Sequence, residues 1–222
     1  MKLAKVTIAL FGLSLGISQG AGYILSTGST ANSNGFADSS GKVFQNSASG
    51  TFAGAGTVSF GIFNTTDAAV AAMSTGADLI AAFRSYPAAP GTFTSAGLSA
   101  NAGTFSVSGS AAVTSSQFSG QNMYLFIGNG TSYALSTQFL VLKTTFTFDP
   151  AVDALPTATT DTLTSLTVAS NGLLIGSTTT DVKTTGTDAT VTPGWRTASL
   201  VPESSTALLG ALGALGLLRR RR

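Results

Sequence analysis

The sequence predicts a mainly β protein: an antiparallel β-sandwich or jelly-roll-like domain with one short helical insertion, flanked by an apolar helix at each end. Three observations predict it. Short apolar alternations recur along the middle of the chain, separated by Gly, Ser, Asn and Pro. Threonine and β-branched residues are concentrated in those alternations, as in half-exposed strands. The only two long apolar runs lie at the termini, next to basic residues.

The strands can be taken in order. In Thr57-Val58-Ser59-Phe60-Gly61-Ile62-Phe63, Val58 falls on the opposite face from Phe63, and Gly61 shares the Phe63 face and eases close packing. Thr104 to Val107 and Ala111 to Thr114 flank Ser108-Gly109-Ser110 and read as a hairpin. Asn122 to Ile127 is a strand ending in the turn signal Gly128-Asn129-Gly130. Phe139 to Leu142 and Thr144 to Phe148 follow. Thr162 to Val168 and Leu173 to Ser177 bracket Asn171-Gly172, a strong two-residue hairpin signal. The insertion is alanine-rich: Asp67 and Asp78 are expected N-caps of two short helices interrupted at Gly76.

Composition narrows the chemistry. The chain has 222 residues, of which 9% are charged and 43% hydrophobic, with 26 glycines. Globular domains carry about 25% charged residues, so Ser, Thr, Asn and Gly must cover most of this surface. Six of the eleven basic residues are terminal: Lys2, Lys5, Arg219, Arg220, Arg221 and Arg222. The interior has five cations against eight aspartates, a net charge of −3. A nucleic-acid surface needs clustered Lys and Arg, so no nucleic acid is expected as a partner.

The chain has no cysteine and no histidine. That excludes disulfides, thiolate metal sites, and Ser-His-Asp or Cys-His catalysis. No Gly-x-x-x-x-Gly-Lys phosphate loop occurs. The carboxylates Asp149, Asp153 and Asp161 are the nearest to a two-carboxylate glycosidase set or an oxygen-ligated calcium site. As Asp residues in a Pro-containing stretch they read first as turn and cap residues. No catalytic residue, cofactor or metal is therefore assigned, and the protein is expected not to be an enzyme. Tyr124, Phe126, Tyr133, Phe139 and Trp195 would make a glycan platform if exposed in a row, and core residues otherwise. Asn64-Thr65-Thr66 and Asn129-Gly130-Thr131 match the N-glycosylation sequon, a short motif that arises often by chance.

The termini are more specific. Residues 1–20 have the three parts of a secretory signal: the basic residues Lys2 and Lys5, the apolar stretch Val6 to Ile17, and small residues before a cleavage point between Gly20 and Ala21. At the other end, residues 200–222 contain Val201-Pro202-Glu203, an apolar run from Thr206 to Leu218, and Arg219 to Arg222. The run is about 20 Å long as a helix, against a hydrocarbon core of about 30 Å. The arginines lengthen it by snorkelling and hold the end on the cytoplasmic side. Gly210, Gly213 and Gly216 offer a small-residue face to another membrane helix.

Together Val201-Pro202-Glu203, the apolar run and the arginine terminus resemble the PEP-CTERM sorting signal, with Ser204 where the family has a second proline. The resemblance implies export through the secretion translocon and transient anchoring in the inner membrane. It also implies recognition of Val201-Pro202-Glu203 by an exosortase, which removes the tail and leaves the cargo at the cell surface or outside the cell. Val58 to Phe63, the helical patch ending Leu79 to Phe83, and Gly120 to Ile127 resemble the cargo of secreted proteins of this type from Verrucomicrobia-like bacteria.

The expected organisation is thus a signal peptide (1–20), a β-rich cargo domain (21–177), a Thr/Pro-rich stalk (178–199) and the sorting signal (200–222). The expected role is that of a structural or adhesive envelope protein associated with exopolysaccharide or cell-surface glycan. The alternatives are a secreted carbohydrate-binding module and a secreted glycoside hydrolase using Asp carboxylates.

Overall fold

A computed structural model of the chain describes residues 22–26, 35–45, 48–49, 52–54, 56–87, 89–93, 105–110, 117–148, 160–163, 168–183 and 191–200. In chain order the elements are β1 (Gly22–Ser26), β2 (Gly35–Ala37), β3 (Val43–Phe44), β4 (Ala48–Ser49), β5 (Phe52–Gly54) and β6 (Thr57–Phe63). The insertion follows as α1 (Asp67–Ala71) and α2 (Gly76–Ala82), then β7 (Phe83–Ser85), β8 (Gly91–Thr92), β9 (Ser106–Ser110) and β10 (Asn122–Gly128). A 3-10 turn at Tyr133–Leu135 leads into β11 (Gln138–Thr147). The remaining strands are β12 (Thr160–Leu163), β13 (Val168–Ile175), β14 (Ser177–Lys183), β15 (Val191–Arg196) and β16 (Ala198–Ser199).

The fold is mainly β, in three sheets among the described residues. The largest runs β13-β11-β10-β6-β7, with β16 on β11 and β8 on β6, and every pairing in it is antiparallel. A second runs β14-β15-β2-β3-β5-β4, and a third β12-β1-β9. Three pairings are parallel: β1 with β12, β15 with β2, and β3 with β5. Strands from the beginning of the chain therefore lie beside strands from its end.

The largest sheet is buried on both faces. Val58, Phe60 and Ile62 of β6, Met123, Leu125 and Ile127 of β10, and Leu140 and Leu142 of β11 point one way. They meet Tyr23, Leu25, Phe36, Phe44 and Val107 from the two smaller sheets. Burying two apolar faces across one core is how sheets stack in a sandwich. From the opposite face Phe63, Phe126, Phe139 and Val141 pack under Val70 of α1 and Leu79 of α2. This is why β6 is buried at every position and why β10 reads as a continuous apolar run.

Several local expectations change. The caps of the two helices are Thr66 and Thr75, whose hydroxyls accept from Ala69 N (3.3 Å) and Asp78 N (3.1 Å). Asp67 is the first residue of α1, and Asp78 instead accepts from the Thr75 hydroxyl at 2.7 Å. The Thr75 hydroxyl thus bonds both the backbone N–H and the carboxylate of Asp78, and threonine outcompetes aspartate as cap because it occupies the position with extended backbone.

Ser108-Gly109-Ser110 is no turn. It lies inside β9, paired with Tyr23 and its neighbours in β1. Asn171-Gly172 is no hairpin either. Asn171 has φ 60°, as the turn signal demands, but it serves a bulge in β13: the six residues from Val168 to Leu173 oppose the three from Leu142 to Thr144 on β11.

The expected Thr/Pro-rich stalk, 178–199, carries strands in its described residues. β14 pairs with β15 and β15 with β2, while Trp195 stacks on Phe36 (ring centroids 5.2 Å apart). Pro193 is accommodated where the β14–β15 register shifts, between Gly194 and Thr192. Threonine-rich sequence suits a strand as well as a linker, and Trp195 tips the balance toward burial. The signal segment 1–20 and the tail 201–222 lie outside the described residues.

Candidate functional site

The helical insertion is the irregular element on an otherwise regular sheet, and both candidate sites lie beneath it. β10 and β11 present Tyr124 and Lys143 as directly opposed partners on the helix-covered face. With Thr66 capping α1, Asp67 is free to point down at them. The Tyr124 hydroxyl donates to Asp67 Oδ1 at 2.6 Å, and Lys143 Nζ reaches Oδ2 at 2.7 Å. Lys143 Nζ also lies 5.9 Å from the Tyr124 ring centroid. The bonds pin α1 to the sheet.

Electrostatically the cluster is settled. Burial raises the Asp67 carboxyl, but the hydrogen bonds from Lys143 and Tyr124 and the Lys143 charge outweigh it and hold the group below its ordinary 3.8. Burial pushes the Tyr124 phenol up, and the Asp67 carboxylate beside it pushes it further. The arrangement therefore holds an ionised acid and a phenol that keeps its proton. General acid–base work at neutral pH needs a group poised to change protonation state, and both the Asp67 and the Tyr124 shifts lead away from that range.

The second feature is an apolar pocket of about 580 Å³ between α2 and the β10–β11 connection. Its walls include Ala77 and Ile80 of α2, Tyr133 and Phe139 below, and Leu200 at the rim. Gly76 lets α2 come down onto the Phe139 ring, where a Cβ would overlap the ring atoms. Tyr133 lies flat on Phe126 (4.4 Å, 14°) and donates its hydroxyl to the Phe126 carbonyl oxygen at 2.8 Å. Burial pushes that phenol well above its ordinary value.

The connection itself is rigidly tied. Asn129 Oδ1 accepts from Thr137 N (2.9 Å) and Gln138 N (3.0 Å), and Thr57 Oγ1 donates to the Gly130 carbonyl oxygen (2.7 Å). The Gly-Asn-Gly signal is thus a genuine chain reversal between β10 and β11. The Asn129 side chain of the sequon is engaged in holding that reversal, whereas Asn64 is exposed.

The sequence-predicted candidates fall as follows. Tyr124, Phe126 and Phe139 are buried, and Tyr133 and Trp195 are half-buried against other rings. The aromatic residues are core and form no exposed row. Asp161 is in β12, and its side chain is outside the description; Asp149 and Asp153 lie outside the described residues altogether. So do Gly20, Ala21, Val201, Pro202, Glu203 and Arg219 to Arg222. Among the described residues no group of three or more Asp or Glu side chains gathers to hold a metal, and no helix is long and apolar enough to cross a membrane.

Sequence reasoning missed both features. Their signals were present: Lys143 is a lone charge inside an apolar strand, and Gly76, Ala77 and Ala81 give α2 a small-residue flank. No protein-family model, curated protein or solved structure matches the chain.

Proposed function

We propose that the chain is an exported envelope protein without enzymatic activity, in which a sandwich domain is delivered to the cell surface or its matrix. An exosortase processes the C-terminal tail, and the mature domain has a structural or adhesive role beside exopolysaccharide. The signal peptide and the tail's apolar helix are delivery devices, and the jelly-roll-like cargo is what remains.

One observation supports the reading: strands at both Gly22–Ser26 and Ala198–Ser199 are paired into the sheets, so a folded domain takes in the sequence just inside the expected cleavage point and Val201. The domain forms no disulfide, since the chain has no cysteine. Among the described residues the candidate rings Tyr124, Phe126, Tyr133, Phe139 and Trp195 pack on other rings, so adhesion would come from the Ser/Thr/Gly surface rather than from ring stacking on sugars.

Intact-mass measurement on protein from the native host, with membrane and medium fractions kept apart, tests this reading. A species starting at Ala21 and ending near Val201 is expected. A C-terminus retaining Arg219 to Arg222 in every fraction would reduce the tail to a membrane anchor.

A further inference from the structure

The pocket beside α2 has walls that the core does not require. Leu79 is the residue of α2 that is buried in the core. Ala77, Ile80 and Ala81 stand at i, i+3 and i+4, so they share one face of the helix, and that face lines the pocket. The outer side of a surface helix is ordinarily polar. Here it is apolar, and Ile80 is left 37% exposed at the mouth of the cavity. A volume of about 580 Å³ falls within the range of small-molecule sites, about 300–1,000 Å³.

The side chains of the wall leave a guest almost nothing to hydrogen-bond. Thr75 donates to Asp78 Oδ2 at 2.7 Å and accepts from Asp78 N at 3.1 Å. Ser136 donates to the Ser132 carbonyl oxygen at 2.8 Å and accepts from Gly130 N at 2.9 Å. Tyr133 donates to the Phe126 carbonyl oxygen, and Thr137 accepts from Asn129 Nδ2 at 3.4 Å. Among the described residues no charged side chain lines the cavity. A sugar would surrender its water there and gain few bonds in return.

What remains is hydrocarbon. Ala77, Ile80, Ala81, Ala134 and Leu200 supply methyl groups. The two rings of the wall, Tyr133 and Phe139, are already stacked on Phe126, at 14° and 16°. Methyl-rich walls suit methylene groups, and the lack of a charged partner suits a guest whose head stays in water.

We propose that this pocket binds a single alkyl chain, that of a free fatty acid or of a lipid, with its polar head left in solvent beside Ile80. The site stands on the cavity and its walls, not on the sorting reading.

The test uses the full chain held in digitonin, whose steroid body is no alkyl chain, and a dodecanoic acid probe carrying a diazirine near its methyl end. Illumination is expected to label the peptides containing Gly76 to Ala82 and Tyr133 to Phe139, and unlabelled dodecanoate is expected to compete. Ala81→Phe and, independently, Ala77→Phe fill the cavity from α2 and are expected to cut the labelling about tenfold, so one that misfolds by Trp195 emission leaves the other to decide. Ala72→Phe places the same ring on the exposed C-cap of α1, outside the pocket, and is expected to label normally. Competition by a lysophospholipid of the same chain length as well assigns lipid tails, and competition by the free acid alone assigns the fatty acid. Labelling confined to residues 200–222 or spread along the chain overturns the proposal. So does undiminished labelling in either folded cavity-filling variant, displacement by glucose, or competition by naphthalene and not by dodecanoate.

Discussion

Lys143 and Asp67 are 76 positions apart in the chain, yet Nζ and Oδ2 meet at 2.7 Å where α1 rests on β11. The pair is partly exposed, with 24% of the Lys143 side chain and 40% of the Asp67 side chain in solvent. Screening limits such a contact to about 0.5–1 kcal/mol. Lys143→Met is therefore expected to lower the urea midpoint slightly and to free α1 locally. Emission from Trp195, the single tryptophan, reports global unfolding, while amide exchange at Val70 reports the local effect.

The pH profile of stability follows from the same cluster. The folded-state carboxyl of Asp67 is depressed, so its contribution is present above the unfolded value near 3.8 and fades as pH falls through the folded value. Tyr124 and Tyr133 are raised, so their contribution is present below the ordinary 10.0 and is lost as pH climbs above it. With no histidine and no cysteine in the chain, little titrates between about pH 5 and 8. Urea midpoints are expected to be flat across that interval, to fall below about pH 4 and to fall above about pH 10. Tyr124→Phe is expected to flatten the alkaline limb, which a midpoint series at pH 9 to 11 would register.

Thr75→Ala removes the α2 cap and leaves Asp78 without its hydroxyl donor. Caps of this kind contribute about 1 kcal/mol. The expected result is a loss of that size in equilibrium unfolding, with Thr75→Ser restoring most of it.

Gly61→Ala should cost more than its size suggests. A Cβ at position 61 would overlap the Arg84 carbonyl oxygen of the neighbouring strand β7. Relief requires β6 and β7 to part, at about 1–3 kcal/mol. Chemical unfolding should show this loss, and a cost below about 0.5 kcal/mol would mean that β7 shifts freely.

How much of this was legible depended on the range of the forces involved. The strands β6, β10 and β11 were readable because apolar alternation and the Gly-Asn-Gly reversal are local signals, and the opposite facing of Val58 and Phe63 came with them. Ser108 to Ser110 misled because Ser-Gly-Ser suits a turn in isolation. Here Gly109 passes against Pro87, where a Cβ would lie 2.7 Å from Pro87 Cα, and β1 supplies the pairing that makes it a strand. The parallel pairs β1–β12 and β2–β15 had no signature, since their partners are set by the assembled core. At the candidate sites Asp67 was noticed for the wrong role: a helix-start aspartate looks the same whether it caps or reaches a distant lysine. The pocket escaped because it depends on how closely Gly76 lets α2 approach Phe139.

The pairing of β1 with β12 and of β2 with β15 sets when such a chain can finish folding. Each of these early strands has one nearer neighbour, β9 for β1 and β3 for β2, and its second edge is filled only when residues 160 and beyond have arrived. Late closure of distant contacts makes folding slow. Completion of the two smaller sheets therefore coincides with the arrival of the final strands.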